Sequence, residues 1–134
     1  MKISARCLAW AQRAFAAAVV LFWVSIWAKP ELLPPDVIDF ELCFAWPDLL
    51  GIVGLLWIAS YWLLAADSRG RTASAAAGGA LLYLGLLDVM FNLRHGQYTM
   101  PISRGLFNVI INSGCLLFGL GNIWFALKGP DGGG

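Results

Sequence analysis

Four long apolar runs, at residues 8–28, 48–66, 72–93 and 104–127, alternate with short polar or proline-bearing stretches along the chain. Each run approaches the roughly 20 apolar residues a helix needs to cross the hydrocarbon of a bilayer. A helix also satisfies its backbone N–H and C=O groups within the segment, which lipid requires. The pattern therefore predicts an all-α fold, a polytopic integral membrane protein whose four transmembrane helices form an antiparallel bundle in one membrane domain. What remains is a long loop at 29–47 and a glycine-rich tail at 128–134, read as flexible.

The stretches between the runs carry their own signals. Pro30, Pro34, Pro35 and Pro47 break helix in the loop, and Glu31, Asp36, Asp39 and Glu41 make it acidic. Its middle, from Val37 to Leu42, alternates apolar and acidic residues, a pattern suited to a short surface element against the bilayer or over the bundle mouth. Trp46-Pro47-Asp48 reads as a helix start, with proline in the first turn and an acid at the positive helix end. The second helix ends at the polar turn 67–71, and the third opens on the small residues 73–80, a surface for close helix packing. Lys2, Arg6 and Arg13 before residues 14–28 resemble a secretion signal, yet Trp23 and Trp27 near the far end fit the interfacial belt of a retained first helix.

The third run is interrupted by Asp88 and Asn92, four apart and so on one helix face, with Gly85 and His95 on the same stripe. An acid inside a membrane span is costly unless it meets protein, water or a partner, which makes Asp88 a functional-site candidate. On the fourth helix Asn108, Asn112, Cys115, Gly119 and Asn122 step by four and three, the spacing of one interhelical seam. Asp88 lies about 9 Å below Arg94 at about 1.5 Å per residue, the depth expected of Asn108 and Asn112. With Asp48 at the start of the second helix and Ser25 near that level, the polar groups are expected to converge in the outer third of the bundle. The candidate ligand-binding residues are Asp88, Asn92, Asn112, Asn108, Asp48, Trp46 and His95, with Arg94 and Arg104 as charge partners. Two plainer readings stand beside this one: the asparagines bond helix to helix, and Asp48 only caps a helix start.

Composition narrows the function classes. Hydrophobic residues make up 60% of the 134, and charged residues 13%. A soluble domain carries nearer about 45–50% apolar residues. The net charge of +1 and the lack of a basic patch give no nucleic-acid partner. Cys7, Cys43 and Cys115 occur singly beside one histidine, so no metal site or cofactor is expected.

The segment from Asp88 through Asn92 and Gly96 to Tyr98 and Thr99 resembles one in small bacterial four-helix membrane proteins. The likeness covers at most the last three helices and implies no activity. In helix count the chain is also similar to the sterol-isomerase and sigma-2-receptor group, whose intramembrane acids bind cationic amphiphiles, a likeness that rests on Asp48 and Asp88 alone. Small multidrug transporters have four helices too, but they carry their acid in the first helix, and this first helix has none.

Three function classes follow: a pocket for a small amphiphilic ligand, which an enzyme would also need; an assembly subunit of a membrane complex with no ligand; and a proton-coupled carrier formed by homo-oligomerisation. All three share the lipid bilayer as a partner. Six of the nine cations, Lys2, Arg6, Arg13, Arg69, Arg71 and Lys128, fall on one side of the predicted topology, against Lys29, Arg94 and Arg104. The positive-inside rule then puts both termini in the cytoplasm of a bacterial inner membrane. Reporter fusions check this: one at residue 134 should report a cytoplasmic end and one within residues 34–39 an external loop. A C-terminus found outside would overturn the topology.

Overall fold

The structure is a computed structural model that describes residues 4–33, 35, 38–99 and 102–128, without the side chains of residues 102–104. Lys2, Pro34, Asp36, Val37 and residues 129–134 of the tail lie outside the described residues, as does the side chain of Arg104. Among the described residues every regular element is helical. Helix α1 covers Ala5–Ala28, a single 3-10 turn Pro30–Leu32 follows, and α2 is the short helix Ile38–Leu42. A π-helical stretch, Pro47–Val53, leads directly into α3, Gly54–Leu64, and the chain ends on α4, Arg69–Arg94, and α5, Ile102–Leu127. Four helical stretches are long and apolar enough to cross a membrane: Ala5–Ala28, Ile38–Leu64, Arg69–Arg94 and Gly105–Leu127. The chain is thus an all-helical, multi-pass membrane protein. Its outward surfaces are apolar, with Leu50 and Leu117 among the most exposed side chains, as suits a bilayer solvent.

Helix starts and stops follow local hydrogen bonding. Ser4 caps α1 by accepting from the Cys7 N–H at 3.1 Å. Asp67 accepts from the Arg69 N–H at 2.9 Å, so α4 begins in what the sequence presents as a polar turn. The Arg69 side chain also bonds Asp67, and that bond holds the carboxyl down to about 2. Both α3 and α4 end with the same pair of bonds. Asp67 N–H reaches Trp62 C=O and Ala66 N–H reaches Leu63 C=O after α3, and Gln97 to Asn92 with Gly96 to Leu93 after α4. The motif needs one left-handed residue. Gly96 supplies it at φ 64°, whereas Ala66 adopts φ 56° with a side chain, a cost of about 1 kcal/mol.

The second span departs from the sequence pattern. Instead of starting at Pro47, helix is present from Ile38 and is interrupted only by the turn at Cys43 and Phe44. Pro47 lacks an N–H and its ring crowds the preceding turn, and the wider π turn begins there. The ladder closes around it through Asp48 N–H to Phe44 C=O at 2.9 Å.

The chain divides into two compact units, the first ending at Ser74 and the second starting at Ala75, so the boundary falls within α4. In the first, α1 packs antiparallel on the π stretch and α3, and Trp23, Ile26 and Ala45 form a core flanked by Val19, Phe22, Leu33, Phe44 and Leu49. In the second, α4 and α5 pack antiparallel through small residues. A Cβ at Gly78 would stand 2.6 Å from the Gly119 carbonyl oxygen, and one at Gly119 would stand 2.9 Å from that of Gly78. Gly85 meets Cys115 and Leu116 further along the same seam. A Cβ at Gly79, one residue away, would meet no other side chain or helix within 4 Å. Gly78→Ala and Gly119→Ala should therefore each cost about 1–3 kcal/mol by overpacking. Gly79→Ala should leave stability unchanged or raise it by up to about 1 kcal/mol through helix propensity. Thermal unfolding of the three variants in one detergent checks the contrast, and three equal midpoints would refute the close approach.

Candidate functional site

In the first unit the polar groups sit at opposite ends of an antiparallel helix pair. At the end of α1, Trp23 is almost wholly buried and its indole N–H donates to Asp48 Oδ2 at 3.0 Å. The proline-linked π stretch carries that carboxylate inward: Asp48 is only 9% exposed. Its other oxygen, Oδ1, is enclosed and has no hydrogen-bond partner among the described residues. Leaving such an acceptor unmade costs about 1–3 kcal/mol, and more when it carries charge. Phe22 stands edge-on to Trp23 at 5.2 Å, and the rest of the core closes the apolar wall. Half-buried Glu41 lies within electrostatic reach of Asp48. Asp48 is thus more than a capping acid, since its side chain crosses to another helix. Trp46 on the same segment is 65% exposed and turns outward.

Toward the other end of α1, Gln12 is fully buried and its amide donates to Ser74 Oγ at 2.9 Å, which in turn donates to the Gly70 carbonyl at 2.8 Å. Arg13 donates through Nε to Ser60 Oγ at 3.3 Å. Its guanidinium carbon stands 5.1 Å from the ring centres of both Trp10 and Trp57.

In the second unit the seam residues answer one another. Asn108 donates to Asn92 Oδ1 at 3.3 Å, and Asn112 donates to the Tyr98 hydroxyl at 2.6 Å. Asn92 and Asn112 are buried, as is Asn122, whose amide returns to the Phe118 carbonyl at 2.8 Å. A step of four back along α4 from Asn92 and four forward along α5 from Asn108 puts Asp88 level with Asn112. Asp88 is half-buried and has a partner. His95 is exposed, its ring 4.2 Å from that of Phe91 and its Nδ1 3.0 Å from the Phe91 carbonyl. Arg94 is exposed in the last turn of α4. Among the described residues no three His, Cys, Asp or Glu side chains gather to hold a metal ion, and Cys7, Cys43 and Cys115 form no disulfide.

Within the units, then, the candidates Asn92 and Asn108 meet, Asn112 meets Tyr98, and Asp48 meets Trp23. Sequence reasoning passed over Trp23 as a donor, Tyr98 as an acceptor, and the set Gln12, Arg13, Ser60 and Ser74. The last set had a readable signal: polar side chains inside apolar helices pay for burial only when they find each other. The indole N–H had none, because tryptophans near helix ends read equally well as interfacial.

The chain matches no protein-family model, no curated protein and no solved structure.

Trp23→Phe removes the indole donor to Asp48 and keeps an aromatic ring. It should lower stability by about 1–3 kcal/mol. Trp23→Phe with Asp48→Leu should lose less than the sum of the single changes, because no buried acceptor is then left bare. Additive losses in a double-mutant cycle would show that the bond carries no coupling.

Proposed function

We propose that this membrane protein binds a small cationic amphiphile, with Asp48 as the group that receives its N–H. The reading rests on one observation: a buried carboxylate in a membrane-spanning segment has one oxygen with no donor among the described residues. A protonated amine supplies both the missing donor and the opposite charge, and charge-assisted bonds are the strong ones. The wall of Trp23, Ile26, Phe44 and Leu49 suits an apolar tail, and Glu41 adds a second anionic group for the same cation. Taken with the cation asymmetry, which favours cytoplasmic termini in a bacterial inner membrane, Asp48 stands in the outer leaflet and receives its ligand from that side. Asp88, Asn92, Asn108, Asn112, His95, Arg94 and Arg104 serve the same binding function in the second unit only to the extent that their mutual bonds open.

A second reading is favoured by those bonds. Asn92, Asn108, Asn112 and Tyr98 satisfy each other, as helix-packing residues do, and an assembly subunit needs no more than that. No reaction is proposed, because no nucleophile and base stand together in the described geometry.

Dodecylamine binding to the full chain in nanodiscs separates the readings. Wild type should be stabilised by dodecylamine and not by dodecanol, and Asp48→Asn should weaken the effect by about tenfold or more, the loss of a charge-assisted bond. Asp88→Asn should respond as wild type does. Equal responses of Asp48→Asn and wild type would sink the proposal and leave the assembly subunit.

A further inference from the structure

The Arg13 cluster lies at the opposite end of α1 from Asp48 and is independent of it. Arg13 stands eight residues into the first spanning helix, about 12 Å along its axis. An arginine at such a depth ordinarily extends its head toward water. This one is held on the helix pair instead. Its Nε is bonded to Ser60 Oγ at 3.3 Å, and its guanidinium stands beside two indole rings, at 5.1 Å from each centre. Ser60 is poised as an acceptor because its own hydroxyl proton goes to the Trp57 carbonyl at 2.8 Å.

The described residues bring no anion to this arrangement. Among the described residues no carboxylate pairs with Arg13. Asp67 is engaged by Arg69, and Asp48 and Glu41 belong to the other end of the helix pair. The terminal nitrogens, Nη1 and Nη2, make no hydrogen bond among the described residues and are not enclosed. Trp10 and Trp57 are 60% and 47% exposed, so the stack opens to the surroundings rather than to the core. A planar fork with its inner nitrogen fixed and its outer pair open is the geometry that takes two oxygens of a phosphate at once. Indole rings beside it suit the boundary between headgroup and acyl chain.

We propose that Arg13, positioned by Ser60 and flanked by Trp10 and Trp57, is a binding site for the phosphate of an anionic phospholipid. Both leaflets of a bilayer present phosphates to arginines that reach toward the interface, so the site does not require cytoplasmic termini. Trp10 and Trp57 contribute cation–π contact to the guanidinium and apolar contact to the glycerol end of the chains.

Native mass spectrometry of the full chain released from nanodiscs tests this, with phosphatidylglycerol, phosphatidylcholine and inorganic phosphate as separate probes. Wild type should retain phosphatidylglycerol in preference to phosphatidylcholine and should show no saturable binding of inorganic phosphate at equal concentration. Arg13→Gln should weaken phosphatidylglycerol retention by about tenfold, and Arg13→Lys, which keeps charge but loses the fork, should fall between. Trp10→Leu changes an exposed ring and should weaken retention too, which keeps the test open if Arg13→Gln does not fold. Unchanged retention in these variants, or equal retention of both lipids, would overturn the site, and saturable inorganic phosphate would overturn its lipid occupant.

Discussion

A polar side chain in hydrocarbon must find another polar group or pay for its absence, and the helix pairing in each unit of this protein is organised by that demand. In the first unit Trp23 reaches Asp48 near one end of an antiparallel pair while Arg13 reaches Ser60 and Gln12 reaches Ser74 toward the other. Bonds at two separated levels fix both register and rotation of α1, because a slip by one residue would turn every one of them away. Apolar contact alone does not do this in lipid, where the surrounding chains are as apolar as leucine.

The π stretch after Pro47 shapes the more unusual of these bonds. A proline inside a helix removes a donor and crowds the previous turn. Widening the next turn accommodates the ring, and the additional residue in that turn changes which side chains face α1. Asp48, immediately after the proline, comes to lie against Trp23 within the core of Ile26 and Ala45. Such turns often accompany functional sites, and the same turn here encloses a carboxylate oxygen that has no donor among the described residues.

The second unit solves the same problem with less tension. Gly78 and Gly119 bring α4 and α5 into backbone contact, and the asparagines beyond them bond across or to Tyr98. Asparagines that bond across helices in this way are a common means of fastening membrane helices together. The first unit differs in enclosing a carboxylate oxygen that has no donor among the described residues.

Residue order alone determined the helical class and the four spans, because 60% apolar content in runs of membrane length leaves no other way to satisfy the backbone in lipid. It also indicated the fourth-helix seam, since Asn108, Asn112, Gly119 and Asn122 recur at helical spacing and periodicity survives without knowledge of the partner. Tertiary structure alone decided what each polar residue meets. That Trp23 donates to Asp48, that helix begins at Ile38 ahead of Pro47, and that Arg13 bonds Ser60 beside two indole rings could not be read from spacing within one helix. Spacing within one helix fixes a face but leaves its partner open, and the partner settles whether a buried polar group is a fastening or a site.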